Sequence, residues 1–181
     1  MIKREKGFSL IELLIVVAII LIIAAIAIPN LLRSRMAANE ASAVGSIRTI
    51  NTAAISFNSS YGDGFPVSLA QIGTTVGSPV SCNNAEYLDS VLTLAVNAAA
   101  AKSGYFFTLG PGTVIVANPP VTCGAPGSVD GYTISAQPAQ PGTSGQRSFC
   151  SDATGVIRFD ATGAAPGVAG GLCPAAMSPL Q

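Results

Sequence analysis

The chain contains no histidine and no tryptophan. Without histidine the commonest general base, the histidine-based catalytic triads and most zinc sites are unavailable. Charge is scarce too: nine Lys and Arg offset nine Asp and Glu over 181 residues, for a formal net charge of zero. No basic tract follows the first six residues, so nothing tracks a nucleic-acid backbone and nucleic acid is not an expected partner. No G-x-S-x-G elbow occurs, and Lys102-Ser103 reads as a loop pair, not a Ser-Lys dyad. The chain is therefore not expected to be an enzyme or to carry a cofactor. Asp130, Asp152 and Asp160 stand beside glycines or turns without the dense oxygen-ligand spacing of a calcium loop, so they are expected to shape turns and no metal is expected.

Four cysteines, Cys82, Cys123, Cys150 and Cys173, are widely spaced and include no C-x-x-C pair. Two disulfides in an oxidising compartment fit that pattern better than a metal site. Sequence alone permits three connectivities. The pairing Cys150 with Cys173 and Cys82 with Cys123 is favoured because the first bridge would staple a weakly held C-terminal tail to a strand, at a gain of roughly 3 kcal/mol in the chain-entropy model.

What the chain does have is a long apolar run near its start. From Phe8 to Ile28 it reads FSLIELLIVVAIILIIAAIAI, with Glu12 as its only charge. As a helix this run is about 31 Å long, enough to cross a bilayer's hydrocarbon core. Ahead of it Lys3, Arg4 and Lys6 outweigh Glu5, which favours a cytoplasmic N-terminus. Ala25 and Ala27 stand in an A-x-A arrangement before Pro29, but cleavage there would discard the whole helix. The other boundary is Gly7-Phe8, where a charged leader meets the apolar run at a residue that lets an enzyme approach the backbone. A carboxylate deep in a membrane helix costs about 2.5 to 3.5 kcal/mol on insertion scales, so Glu12 should either reach the interface or have a partner. Cutting after Gly7 would create a positive amine at Phe8, one turn from Glu12 or offered to the Glu12 of a neighbouring copy.

The segment GFSLIELLIVVAIILIIAAIAIPN resembles the prepilin-type N-terminus of type IV pilins and of type II secretion pseudopilins, closely over Lys6 to Asn30 and loosely to about Ser60. The resemblance implies cleavage between Gly7 and Phe8 by a prepilin peptidase, N-methylation of Phe8, and pairing of Glu12 with the Phe8 amine of an adjacent subunit during assembly. It places Pro29 at the family proline near which the helix loosens. Pro29 lacks an N-H and leaves an earlier carbonyl unpaired, so a kink is expected there and not a stop.

Beyond Pro29, Met36, Ala43, Ile47, Ile50, Ala54 and Phe57 recur at helical steps and mark one apolar face. One helix from about Ser9 to Ser60, ending near Gly62, is expected, with Arg33, Arg35, Asn39, Glu40 and Arg48 solvated or loosely packed between subunits. SLAQIG, residues 68 to 73, reads as a short helix capped by Ser68, boxed by Gln71 and closed by Gly73. A second helical stretch is expected from near Asn84, with Leu88, Val91, Leu92 and Ala95 facing the core; TLAVNAAAAKSG after it fits helix or loop. GYFFTLG, TVIVA, GYTISAQ, QRSFC and GVIRFD read as strands of an antiparallel sheet, followed by an irregular tail.

The expected fold class is thus α+β and pilin-like, a long N-terminal helix packed against an antiparallel sheet. The expected division is a leader over 1–7, a transmembrane part over 8–29, an amphipathic continuation over 30–61 and a globular region over 62–181. The expected function is that of a filament subunit, in a type IV pilus or a secretion pseudopilus. Its partners would be further copies and related pilins, the peptidase, inner-membrane assembly machinery and, before assembly, membrane lipid. The expected location is the inner membrane, with the C-terminal domain periplasmic, and then the filament. A membrane-anchored periplasmic binding domain unrelated to filaments is the alternative.

Overall fold

The computed structural model describes residues 8–62, 64–75, 77–115, 127, 130–168 and 170–180. The chain divides into two units, Met1–Arg35 and Met36–Gln181. Helix α1, Leu10–Tyr61, begins in the first and continues in the second. In the first unit its apolar side chains are exposed from Leu10 to Leu32. Among the described residues of that unit nothing shields them from the surroundings. The helix is long and apolar enough to cross a membrane.

In the second unit α1 turns amphipathic. Ala43, Ile47, Ile50, Ala53, Ala54 and Phe57 are buried at steps of three and four, as the apolar pattern requires. The helix stops at Gly62, whose φ of +69° takes the left-handed conformation, while its N-H donates to the Asn58 carbonyl at 3.0 Å. An L side chain at that position would be strained.

A five-stranded sheet follows in simple sequential order, every neighbour antiparallel: β1 Tyr105–Pro111, β2 Tyr132–Pro138, β3 Ser148–Asp152, β4 Ile157–Asp160 and β5 Ser178–Pro179. The register aligns Phe107, Ala136, Phe149 and Phe159, and beside them Leu109, Ile134, Ser151 and Ile157. This inner face shares one core with the buried positions of α1. The alternate residues, Thr108, Ser135 and Cys150, lie on the opposite face. There Cys150 packs with Cys173 and Met177 in a second cluster, so the tail covers the outer side of the sheet. With both faces covered, all five residues of β3 are buried, and six of the seven in β2.

Several local expectations are corrected. Helix α2, Leu69–Ile72, is shorter than residues 68 to 73. Ser68 holds the N-cap position without a side-chain bond, and Gln71 reaches past it to accept the Val67 N-H at 2.6 Å. Gly73 follows at φ −86°, so its role is not a left-handed turn; a Cβ there would lie 2.2 Å from Thr93. The second helix, α3, spans only Ser90–Leu94. Residues 85–88 cannot begin it because their N-H groups donate to the carbonyls of Gln71, Ile72 and Gly73, and Glu86 has φ +57°. Asp89 starts α3 by accepting the Leu92 N-H at 2.8 Å. Leu88, Leu92 and Ala95 are buried as expected, whereas Val91 is 59 % exposed. Asn97 then caps a single 3-10 turn, Ala98–Ala100. In TVIVA the described residues 113–115 form no strand beyond a bridge at Ile115, and the tail is not wholly irregular, since it supplies β5.

Candidate functional site

At the start of α1, Ser9 occupies the N-cap and Glu12 the third helical position. The Ser9 N-H donates to Glu12 Oε2 at 3.0 Å, and the Ser9 carbonyl accepts the Leu13 N-H at 3.2 Å. Glu12 thus satisfies one of the amides that a helix N-terminus leaves without an intrahelical acceptor, and its charge sits at the positive end of the helix dipole. The S-x-x-E spacing at 9–12 carries this signal, and the reading of Glu12 as an acid awaiting a partner overlooked it. Phe8, in peptide linkage to Gly7, has no free amine here; its side chain is 82 % exposed. Gly7 lies outside the described residues. Pro29 is inside α1, which continues on both sides of it, and the Ala25 carbonyl four residues back loses its usual donor.

The first strong tertiary bonds along α1 are made by two residues expected to be solvated. Asn39 Nδ2 donates to the Ser144 carbonyl at 2.7 Å. Glu40 is 8 % exposed, and its Oε1 accepts the backbone N-H groups of Gln146 at 2.9 Å and Arg147 at 3.1 Å. Its Oε2 receives Arg147 Nε at 2.8 Å and Nη2 at 2.7 Å, a two-pronged ion pair. Burial pushes the Glu40 carboxyl up, but the Gln146 and Arg147 donors outweigh it and hold the group below its ordinary value. The guanidinium also lies over the rings of Phe149 and Phe159, 5.6 and 5.2 Å from their centroids. Its backbone carbonyl accepts the Tyr105 hydroxyl at 2.7 Å. Gly145 is needed at this crossing, because a Cβ there would meet that hydroxyl at 2.0 Å.

One turn after Ile47 and next to Ile50, Asn51 bridges helix and sheet. Its Nδ2 donates to Ser151 Oγ at 2.9 Å and its Oδ1 accepts the Tyr132 hydroxyl at 3.0 Å. Asp152 and Asp160 act in turns, accepting the N-H and hydroxyl of Thr154 and of Thr162, whereas Asp130 accepts those of Thr113, 17 positions away, and ties the residues just after β1 to those just before β2. Asp152 Oδ2 also accepts the Cys173 N-H at 3.2 Å. Burial raises the Asp152 carboxyl, and these donors together with Arg158 lower it further than burial lifts it.

Cys150 and Cys173 form a disulfide with Cα atoms 5.8 Å apart, joining the outer face of β3 to the tail. Cys82 is buried and is not a free thiol. Its expected partner Cys123 lies outside the described residues.

Residues 2–28 match the prokaryotic N-terminal methylation motif. Over 38 residues, 21 % of this chain, the sequence is 63 % identical to the type IV wide pilus major component PilA4 of Thermus thermophilus. Over 54 residues, 30 % of this chain, it is 48 % identical to the type IV major pilin protein PilA of Myxococcus xanthus. The matched stretches cover 29 % and 24 % of those relatives' own lengths. No solved structure matches the chain. With the Gly-Phe junction, the capped Glu12 and the exposed apolar helix, these matches identify the start of the chain as a prepilin-type N-terminal segment, attached to a pilin-like α+β fold.

Proposed function

We propose that the chain is the structural subunit of a type IV pilus-like filament and performs no catalysis. The observation that carries this reading is the methylation motif over residues 2–28 on a helix whose apolar surface is uncovered from Leu10 to Leu32. Such a surface needs lipid or other helices around it, and exchange of the first for the second is the physical content of assembly. The energy for extraction from the bilayer comes from assembly machinery. The chain is held in the inner membrane with residues 1–7 cytoplasmic and the second unit periplasmic. A prepilin peptidase cuts between Gly7 and Phe8 and the Phe8 amine is methylated. That amine then meets Glu12 of a neighbouring subunit, whose Oε2 already accepts the Ser9 N-H. Pro29 is the point at which the helix bends or loosens. Cys82 and Cys123 close the second disulfide. The names of both relatives favour a pilus over a secretion pseudopilus.

The test is the intact mass of the chain isolated from the cells that make it. A mature species starting at Phe8 with one added methyl group is expected. An uncut Met1 removes the filament reading and leaves a membrane-anchored binding domain; a start after Ala27 removes it too, because the helix is then discarded.

A further inference from the structure

In the second unit α1 has a face that the core does not use. Ala41, Gly45, Arg48, Thr52 and Ile55 follow one another at steps of four and three, on the side opposite the buried Ala43, Ile47 and Ile50, and all five are exposed. Gly45 weakens a helix interior, yet a Cβ there would have nothing within 4 Å, so no contact within the chain requires a glycine. Its missing side chain lets another surface approach the helix backbone closely.

The charges of this unit single out two residues. Arg147 is held by Glu40, Arg158 donates to the Met177 carbonyl and Lys102 is half-buried, so among the described residues of the unit Arg48 is the exposed cation. Only its backbone carbonyl is engaged, by the Thr52 hydroxyl at 3.0 Å. Of the exposed carboxylates, Asp89 caps α3 and Asp130 accepts from Thr113, which leaves Glu86. Glu86 takes φ +57°, a left-handed conformation unfavourable for a side chain of its size, and its carboxylate forms no bond among the described residues that would offset the strain. Close by on α3, Val91 and Leu94 are exposed.

Resting on the filament reading, we propose that the outer face of α1 in one copy docks on the Glu86–Leu94 corner of the next copy, Arg48 pairing with Glu86 while Val91 and Leu94 cover Ile55. A filament needs contacts between two different surfaces of the same chain, repeated from copy to copy. These two surfaces meet that need: one is basic and apolar, the other acidic and apolar. Neither complements itself, because two Arg48 or two Glu86 side chains repel. The occupant that fits both is therefore a second copy of this chain.

The test is the yield of filaments sheared from cells that make charge-reversed chains. Arg48→Glu or Glu86→Arg alone sets like charges together and should lower the yield at least about tenfold, with the subunit still present in the membrane. The double variant should recover. Cells making the two single variants side by side should recover as well, since in alternation every contact again joins opposite charges. Gly45→Leu should lower the yield while the Tm of the unassembled full chain in nanodiscs is unchanged or raised. Normal yields from both single variants, or from Gly45→Leu, overturn the contact and leave the filament reading standing. Failure of the double variant to recover also overturns it. Recovery of the double variant without recovery in the mixed cells places the pair within one chain, which overturns the docking of two copies. Wild-type cells without filaments fail the filament reading itself.

Discussion

Replacing Glu40 by Gln isolates the charge of the contact that fastens α1 to the loop before β3. The Gln146 and Arg147 N-H groups keep a carbonyl acceptor at Oε1, but an amide NH₂ now faces the guanidinium where Oε2 accepted at 2.8 and 2.7 Å. Charge-assisted bonds contribute about 1.5 to 3 kcal/mol each when fully shielded. Here the Arg147 side chain is 37 % exposed, so water restores part of the loss, and a net cost of about 1.5 to 2 kcal/mol is expected. For a unit of this size that lowers Tm by roughly 3 to 8 °C.

The pH dependence has a definite sign. The folded-state carboxyl lies below its ordinary value of 4.5, so its stabilisation is complete above that value and disappears as pH falls through the lowered one. Thermal unfolding by circular dichroism, with the full chain in nanodiscs, should show the wild type above Glu40→Gln at neutral pH. The two should converge in acid. Equal Tm at neutral pH, or a gap that persists well below 4.5, would refute the assignment of this stability to the Glu40 charge.

Reducing the Cys150–Cys173 bridge, or replacing both cysteines by Ser, should cost roughly 3 kcal/mol and shift the urea midpoint accordingly. Amides of β4 and β5 should gain exchange more than those of β1. Asn51→Leu strands the Tyr132 hydroxyl and Ser151 in a buried setting, and a loss of about 2 kcal/mol is expected in denaturant titration. Glu12→Val should leave membrane insertion intact or improved while lowering filament yield; normal filaments by electron microscopy would remove the assembly role proposed for that carboxylate.

The legible parts of this fold are the periodic ones. Helix α1 was readable from Ala43 through Phe57 because each buried position is set by its neighbours along one helix, and four strands were readable from β-rich runs between Gly and Pro. The Glu40 contact was not, since an acidic residue on a polar helix face looks solvated until Gln146 and Arg147, 106 and 107 positions away, are brought to it. Helix α3 was overextended because its apolar positions hide that residues 85–88 donate to the end of α2. β5 contains a proline and only two residues, so no strand pattern could announce it. At the N-terminus the opposite held: the S-x-x-E spacing was in view, but Glu12 was weighed against lipid and the Phe8 amine and not against the Ser9 amide.

The sequential order of the strands bears on how the chain is made. Each of β2, β3 and β4 pairs with the strand synthesised just before it, so the sheet can grow by local hairpins. The helix has no such neighbour to wait with: Asn51 meets Ser151 across 100 positions and Glu40 meets Arg147 across 107. At translation rates of about 5 to 20 residues per second, roughly 5 to 20 s separate the appearance of the apolar stripe of α1 from that of its cover. During that interval the nascent chain presents Ile47, Ile50 and Phe57 bare, so the step most exposed to misfolding comes before the sheet exists and invites a chaperone that grips an amphipathic helix.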